Sequence, residues 1–163
     1  MRKTILAIIV ALCLWVSPSP TVAVGKISKN ERQLLPTTIK SNQMLTDNKG
    51  KTAVFSGDVV TRQGDITIYS DRMTINYGDK GDVEKVEADG NVRIVQENRI
   101  GTSTHAVYDS RNGLITLTGS PKVMQGSDSI SGKTIIYYVD EDKSVVSGDT
   151  DSRVNAVIHP PAK

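Results

Sequence analysis

Two landmarks recur along this chain at nearly one interval, and they restrict it to folds built from a stacked unit. Ile39, Ile68, Ile100 and Ile130 follow one another at spacings of 29, 32 and 30, and two places after each comes something small: Ser41, Ser70, Thr102 and Gly132. A second series, Gly57, Gly90, Gly119 and Gly148, keeps spacings of 33, 29 and 29. A period of roughly 30 residues marks a supersecondary unit repeated on itself.

The clearest copy of the unit is the run 66–77. Ile66, Ile68, Met73, Ile75 and Tyr77 carry its apolar weight with a period of two in each half, the mark of a strand with one buried face. At Ser70-Asp71-Arg72 the apolar phase slips by one, as a bulge or corner makes it. A polar Gly/Asp turn (78–82) and a second alternating run (83–88) follow, and then Gly90-Asn91-Val92.

The first residues read as an export address. Arg2-Lys3 form a basic start, residues 5–16 an apolar run, Ser17-Pro18-Ser19-Pro20 a break, and Thr21-Val22-Ala23 a small-residue cleavage site. The apolar run is shorter than the roughly 20 residues that span a bilayer, so residues 1–23 are expected to be a cleaved signal peptide and the mature chain secreted. Cys13, the one cysteine, leaves with it, as does Trp15, and the remaining 18 basic and 18 acidic residues balance. Lys and Arg are scattered singly, which gives no case for a nucleic-acid partner. Without disulfides, a mature domain of this size holds together by core and sheet alone.

Residues 24–36 are polar and aperiodic, an expected flexible lead-in. From there alternation continues to Ile158. Turn chemistry interrupts it at intervals of roughly 8–12 residues, as at Gln63-Gly64-Asp65, Ala88-Asp89-Gly90 and Arg111-Asn112-Gly113. No stretch of the mature chain carries a helical apolar stripe. An all-β domain of short antiparallel strands is expected over 37–159, with a flexible tail at 160–163. Within their own strands Ala53/Phe55, Val59, Ile66/Ile68, Met73/Ile75, Val86/Ala88, Val92/Ile94, Ile115/Leu117, Val123, Ile135/Tyr137 and Val154/Ala156/Ile158 share one face. This aliphatic set can fill a core, or line an apolar trough for flexible hydrocarbon; composition leaves both open.

The search for chemistry finds little. His105, in Ser103-Thr104-His105-Ala106-Val107, reads as a strand-surface histidine, and His159 sits beside the terminal prolines. No Ser/His/Asp set has a recognisable elbow and the mature chain offers no thiol. Asp79/Asp82, Asp140-Glu141-Asp142 and Asp149/Asp151 lack calcium-loop spacing, and Asp in turns has its own backbone reason. No catalytic residue, metal ligand or cofactor is expected.

Ile39-Lys40-Ser41-Asn42, Phe55-Ser56-Gly57-Asp58-Val59, Ile68-Tyr69-Ser70-Asp71-Arg72-Met73, Asp89-Gly90-Asn91-Val92, Leu117-Thr118-Gly119 and Ile130-Ser131-Gly132-Lys133-Thr134-Ile135, in this order behind an export signal, resemble the OstA-like family. The last copy departs from the pattern, since Gly148 is not followed by Asn-Val. The resemblance implies a repeat-built, twisted, partly open antiparallel β-jellyroll whose groove holds the acyl chains of lipopolysaccharide (lipid A). It further implies domains joined head to tail, bridging inner- and outer-membrane transport components of similar fold. Combined with the alternation it points to a lipid groove lined by Ile39, Phe55, Val59, Ile68, Met73, Ile75, Val92, Ile94, Val107, Leu117 and Tyr137. The first strand (37–45) and the last (153–158) carry little edge protection, which suits end-to-end pairing. Other readings are a ligand-free, filament-forming secreted sandwich, a soluble relative of the family's membrane-anchored component, and a carbohydrate-processing domain. The last wants paired carboxylates and aromatic platforms that the chain lacks.

Overall fold

In the computed structural model, which describes residues 35–160 apart from 140, 142 and 152, twelve antiparallel strands occur and no helix is found among the described residues. They are β1 (Thr38–Lys40), β2 (Gln43–Asp47), β3 (Thr52–Gln63), β4 (Ile66–Tyr77), β5 (Val83–Gln96), β6 (Arg99–Asp109), β7 (Leu114–Thr118), β8 (Lys122–Gln125), β9 (Asp128–Ser131), β10 (Thr134–Tyr138), β11 (Lys143–Ser147) and β12 (Asn155–Val157). The expected signal peptide, nearly all of the lead-in and residues 161–163 lie outside the described residues.

The long strands each serve two half-sheets. The early half of β3 pairs with β2 and its late half with β1. The early half of β6 pairs with β8 and its late half with β7. Register breaks between Ser56 and Val59, between Tyr69 and Arg72, and between Asp89 and Val92. One half-sheet therefore contains β2, residues 52–56, 72–77, 83–89 and 105–109, then β7, β10 and β11. The other contains β1, residues 59–63, 66–70, 92–96 and 99–103, then β8, β9 and β12.

Corners of two kinds alternate along the fold line. Gly57-Asp58, Gly90-Asn91 and Gly119-Ser120 are consecutive left-handed residues, with φ of 81° and 47°, 74° and 46°, and 75° and 56°. A left-handed pair reverses the strand's pleat within two residues, and glycine takes the first place because a Cβ there is opposed on two counts. At Gly57, for example, it would stand 2.7 Å from Asn42 Nδ2. The second kind uses Ser41, Ser70, Ser103 and Gly132. The residue after two of these meets the facing glycine corner, the Asn42 N–H donating to Gly57 O (2.9 Å) and the Thr104 N–H to Gly119 O (3.0 Å), while the Lys133 N–H donates to Ser147 O (2.8 Å), one residue before Gly148. The sequence repeat is thus one hairpin whose two strands both cross the fold line.

Four expectations need correction. In the third copy the landmarks are out by one. Ile100 pairs with Val95 and faces outward, while Gly101 takes the inward place opposite Ile94 and Ser103, not Thr102, is the buried corner residue. The fourth glycine corner is longer than the others, since Asn155 pairs with Ser131 where Asp151 would by the rule of Val60, Arg93 and Lys122. The expected first strand, 37–45, is broken by its corner into β1 and β2. At the far end the edge is shared by β11 and β12, where a single strand 153–158 is expected.

The half-sheets close toward each other. Thr61 Oγ1 of one half lies 3.2 Å from Met73 Sδ of the other, and a Cβ on Gly101 would lie 3.5 Å from Leu117 Cδ1 across the same gap. Between them sits one cluster: Ala53, Phe55, Val59, Met73, Ile75, Ala88, Val92, Ala106, Leu117 and Ile135.

Candidate functional site

The inward side chains form rows that cross every strand. Along the first half-sheet the register aligns Met44, Phe55, Met73, Ala88, Ala106, Leu117, Ile135 and Val146 beside the fold line. The next row out is Thr46, Ala53, Ile75, Val86, Tyr108, Ile115, Tyr137 and Ser144. Along the second half-sheet the matching row is Ile39, Thr61, Ile68, Ile94, Gly101, Val123, Ile130 and Ala156. A period of two makes these rows mostly apolar, with Thr46, Thr61 and Ser144 as the polar members, without making the strands apolar throughout.

Ten of the eleven expected groove residues fall in this inward phase and divide by depth. Phe55, Val59, Met73, Ile75, Val92 and Leu117 are buried and form the floor. Ile39, Ile68, Ile94 and Tyr137 are half-buried walls, the first three packed against the floor. Val107 is the exception and is corrected: it pairs with Glu87 and Thr116, on the outward face, while its neighbour Ala106 points in. The run Ala106-Val107-Tyr108 has an apolar residue at every position, so alternation could not choose its phase.

Further inward residues belong to the same walls. Val86, Ile115, Val123 and Val146 are partly buried against the floor. The first three stand in phase with assigned neighbours in the sequence. Val146 follows Val145, and a paired valine hides its phase just as Ala106-Val107 does.

Polar chemistry stays off this surface. His105 Nδ1 lies 2.6 Å from Asp89 Oδ1, its cross-strand neighbour on the outward face. Asp109 caps the β6–β7 turn, and hydrogen bonds from the Asn112 side chain and backbone hold its carboxyl below the usual carboxylate range. Asp128 is lowered too, chiefly by the His159 backbone N–H and then by the His159 side chain. Both are turn or tail contacts rather than a reactive cluster. Among the described residues no group of three or more His, Cys, Asp or Glu could hold a metal ion.

Apart from Val83 on β5, the exposed large apolar side chains gather toward the two ends of the fold. Met44 and Leu45 are 60% and 69% exposed on β2. At the other end Val145 on β11, Val157 on β12 and the adjacent Val154 and Ile158 are exposed. β1 and β2 at the start, and β11 and β12 at the finish, each pair on one side only.

Comparison with known proteins places this architecture. The lipopolysaccharide export system protein LptA of Escherichia coli (strain K12) is 29% identical over 133 residues, covering 77% of this chain and 71% of that one. The protein of the same name from Haemophilus influenzae is 28% identical, covering 77% of each. The crystal structure of LptH, described as the LptA-homologous periplasmic component of a lipopolysaccharide transport device from Pseudomonas aeruginosa, superposes with a TM-score of 0.70. That match covers 79% of this chain and 98% of that one at 22% identity, and it shows the shared fold. The family model for the LptA/(LptD N-terminal domain) lipopolysaccharide transport proteins matches residues 38–143, and this chain belongs to that family.

Proposed function

We propose that this chain is a periplasmic carrier that holds the acyl chains of lipopolysaccharide between its half-sheets and passes them along a head-to-tail bridge between membrane complexes. The observation that carries the reading is the inward aliphatic row, which runs in phase through every strand to both unpaired ends. Ile39, Ile68 and Ile94 on one wall, with Ile75, Val86 and Ile115 on the other, offer aliphatic contact to a hydrocarbon. Each buried methylene contributes about 0.8 kcal/mol, so affinity is spread over many contacts. The chain holds acyl groups without altering them, and residues 1–23 are removed on export.

Register inside the chain extends to the joint between copies. The residue before each glycine corner pairs with the one two past the next small corner: Ser56 with Arg72, Asp89 with His105, Thr118 with Thr134. The same rule sets Ser147 opposite Gln43 of the next copy. Val146 then meets Met44, Val145 meets Leu45, and Lys143 faces Asp47, so exposed apolar side chains cover one another and opposite charges pair. On the second half-sheet Asn155, Ala156 and Val157 meet Lys40, Ile39 and Thr38. Strand direction and inward phase both continue, which a heterologous, propagating contact requires.

Photo-crosslinkers at neighbouring positions test the trough. Probes at Ile68 and Ala106 should label with lipopolysaccharide, and probes at Thr67 and Val107 should not; equal labelling would remove the assignment of faces. Cysteines at Leu45 and Val145, in a mature chain that has none, should form a disulfide between copies. Cross-linking at shifted registers with none at this one would reject the joint.

A further inference from the structure

Lys40, Arg62, Arg93 and Lys122 come from four different strands, β1, β3, β5 and β8, yet the register brings all four to the outward face of the second half-sheet. Lys40 aligns through Val60 and Tyr69 with Arg93, and onward through Thr102 to Lys122. Arg62 lies in the adjoining row, which also carries Val95, Ile100 and Met124. All four cations are exposed. Neither outward row of this half-sheet contains an aspartate or glutamate. Among the described residues Lys40, Arg62 and Lys122 form no ion pair, and the Arg93 guanidinium stands 5.6 Å from the centroid of the Tyr69 ring.

This bias belongs to one face rather than to composition. The outward face of the first half-sheet mixes Asp47, Glu87, Asp89 and Asp109 with Arg72, Lys85 and Lys143, and basic and acidic residues balance in the chain beyond residue 23.

We propose that the outward face of the second half-sheet docks on an anionic phospholipid bilayer through Lys40, Arg62, Arg93 and Lys122. Strands stand about 4.8 Å apart, so Lys40, Arg93 and Lys122 sample points roughly 10 to 15 Å apart, more than the Debye length of about 8 Å. Charges so spaced suit a laterally extended anionic layer, where each contributes separately, better than one compact anion. The half-buried Val95, Ile100 and Met124 beside them match the apolar level of a headgroup region. A sugar polymer would want open aromatic platforms, and Arg93 covers the one ring on this face. Inward residues of the same strands face the trough, so docking leaves the trough free and does not depend on what it holds. Lys40, Arg93 and Lys122 follow one another along the strand order, so docking lays that axis along the bilayer and belongs to a copy outside the head-to-tail bridge.

Flotation of the mature chain with vesicles decides the matter. Binding to phosphatidylcholine vesicles containing phosphatidylglycerol, absent on phosphatidylcholine alone and lost in high salt, is expected. Arg62→Glu/Arg93→Glu should weaken it by at least about tenfold. Lys49→Glu/Lys80→Glu, at exposed turns of the other half-sheet with the same change in net charge, should leave it unchanged, and circular dichroism checks that both variants are folded. Equal loss in both doubles, or none in the first, overturns the face assignment. Binding to purified cell-wall sacculi but not to vesicles overturns the bilayer as partner.

Discussion

Asn91 donates a hydrogen bond from Nδ2 to Asp71 Oδ2 at 2.9 Å, clamping the glycine corner of β5 onto the serine corner of β4. Asn42 Nδ2 repeats the contact on Asp58 Oδ2 at 3.3 Å with the order reversed. These clamps sit on the outside of a fold line whose backbone is already committed by left-handed residues. Gly90→Ala, at φ +74° with a Cβ that would overlap Asp71 Oδ2, should lose roughly 1–3 kcal/mol. Asn91→Ala loses one exposed hydrogen bond, about 1 kcal/mol, plus the cost of a left-handed alanine at φ 46°. Urea unfolding ranks the two, and a Gly90→Ala variant as stable as the parent would contradict the corner reading.

Gly101 behaves differently. Its φ is not left-handed, and an added Cβ meets only Leu117 Cδ1 at 3.5 Å and Ile94 Cβ at 3.9 Å, ordinary contact distances. Gly101→Ala should therefore raise stability by about 0.5–1 kcal/mol. Gly101→Leu should fill the gap between the half-sheets and reduce lipopolysaccharide binding while the chain stays folded. Calorimetry and a binding titration on the two variants separate the effects.

The proposed joint between copies carries one charge pair, Lys143 against Asp47. Lys143→Glu should weaken head-to-tail association and Asp47→Lys should do the same, while the two variants mixed should associate again. Exposure caps the effect at roughly 1 kcal/mol per pair, a shift that sedimentation across a concentration series resolves. No recovery on mixing would reject the pairing.

Asp128 fastens the end of the chain, accepting the His159 backbone N–H at 2.9 Å. Its folded pKa is lowered, so the stability it contributes is present above the ordinary value of 3.8 and is lost as pH falls through the lowered value. Protection factors of the β9 and β12 amides, with the intrinsic pH dependence of exchange divided out, should hold steady from neutrality down to pH 3.8 and fall below. In Asp128→Asn the low protection should be present at neutrality and that acid step absent.

His105 tests the claim that the chain does no chemistry. Its contact with Asp89 joins side chains that are 38% and 49% exposed, a setting worth about 0–1 kcal/mol. His105→Ala should transport lipopolysaccharide as the parent does. Complete loss of transport in a folded variant would show a site there.

The all-β class, the repeat and the inward phase of most strands are legible in the chain read alone, because each has a local cause. Side chains alternate with period two, and only glycine readily starts a left-handed corner. Phase is plain at Ile66/Ile68 and Met73/Ile75, where polar neighbours separate the apolar residues. It is hidden at Ala106-Val107-Tyr108, at Val145-Val146 and at Ile100-Gly101, where adjacent residues compete for one face and only pairing with a neighbouring strand selects between them. The assembled fold was needed to separate floor from wall, since depth depends on how fully strands far apart in the chain cover each inward residue. It was needed too to gather Lys40, Arg62, Arg93 and Lys122 on one face, because strand register, unlike alternation, is a relation between segments that no single segment contains.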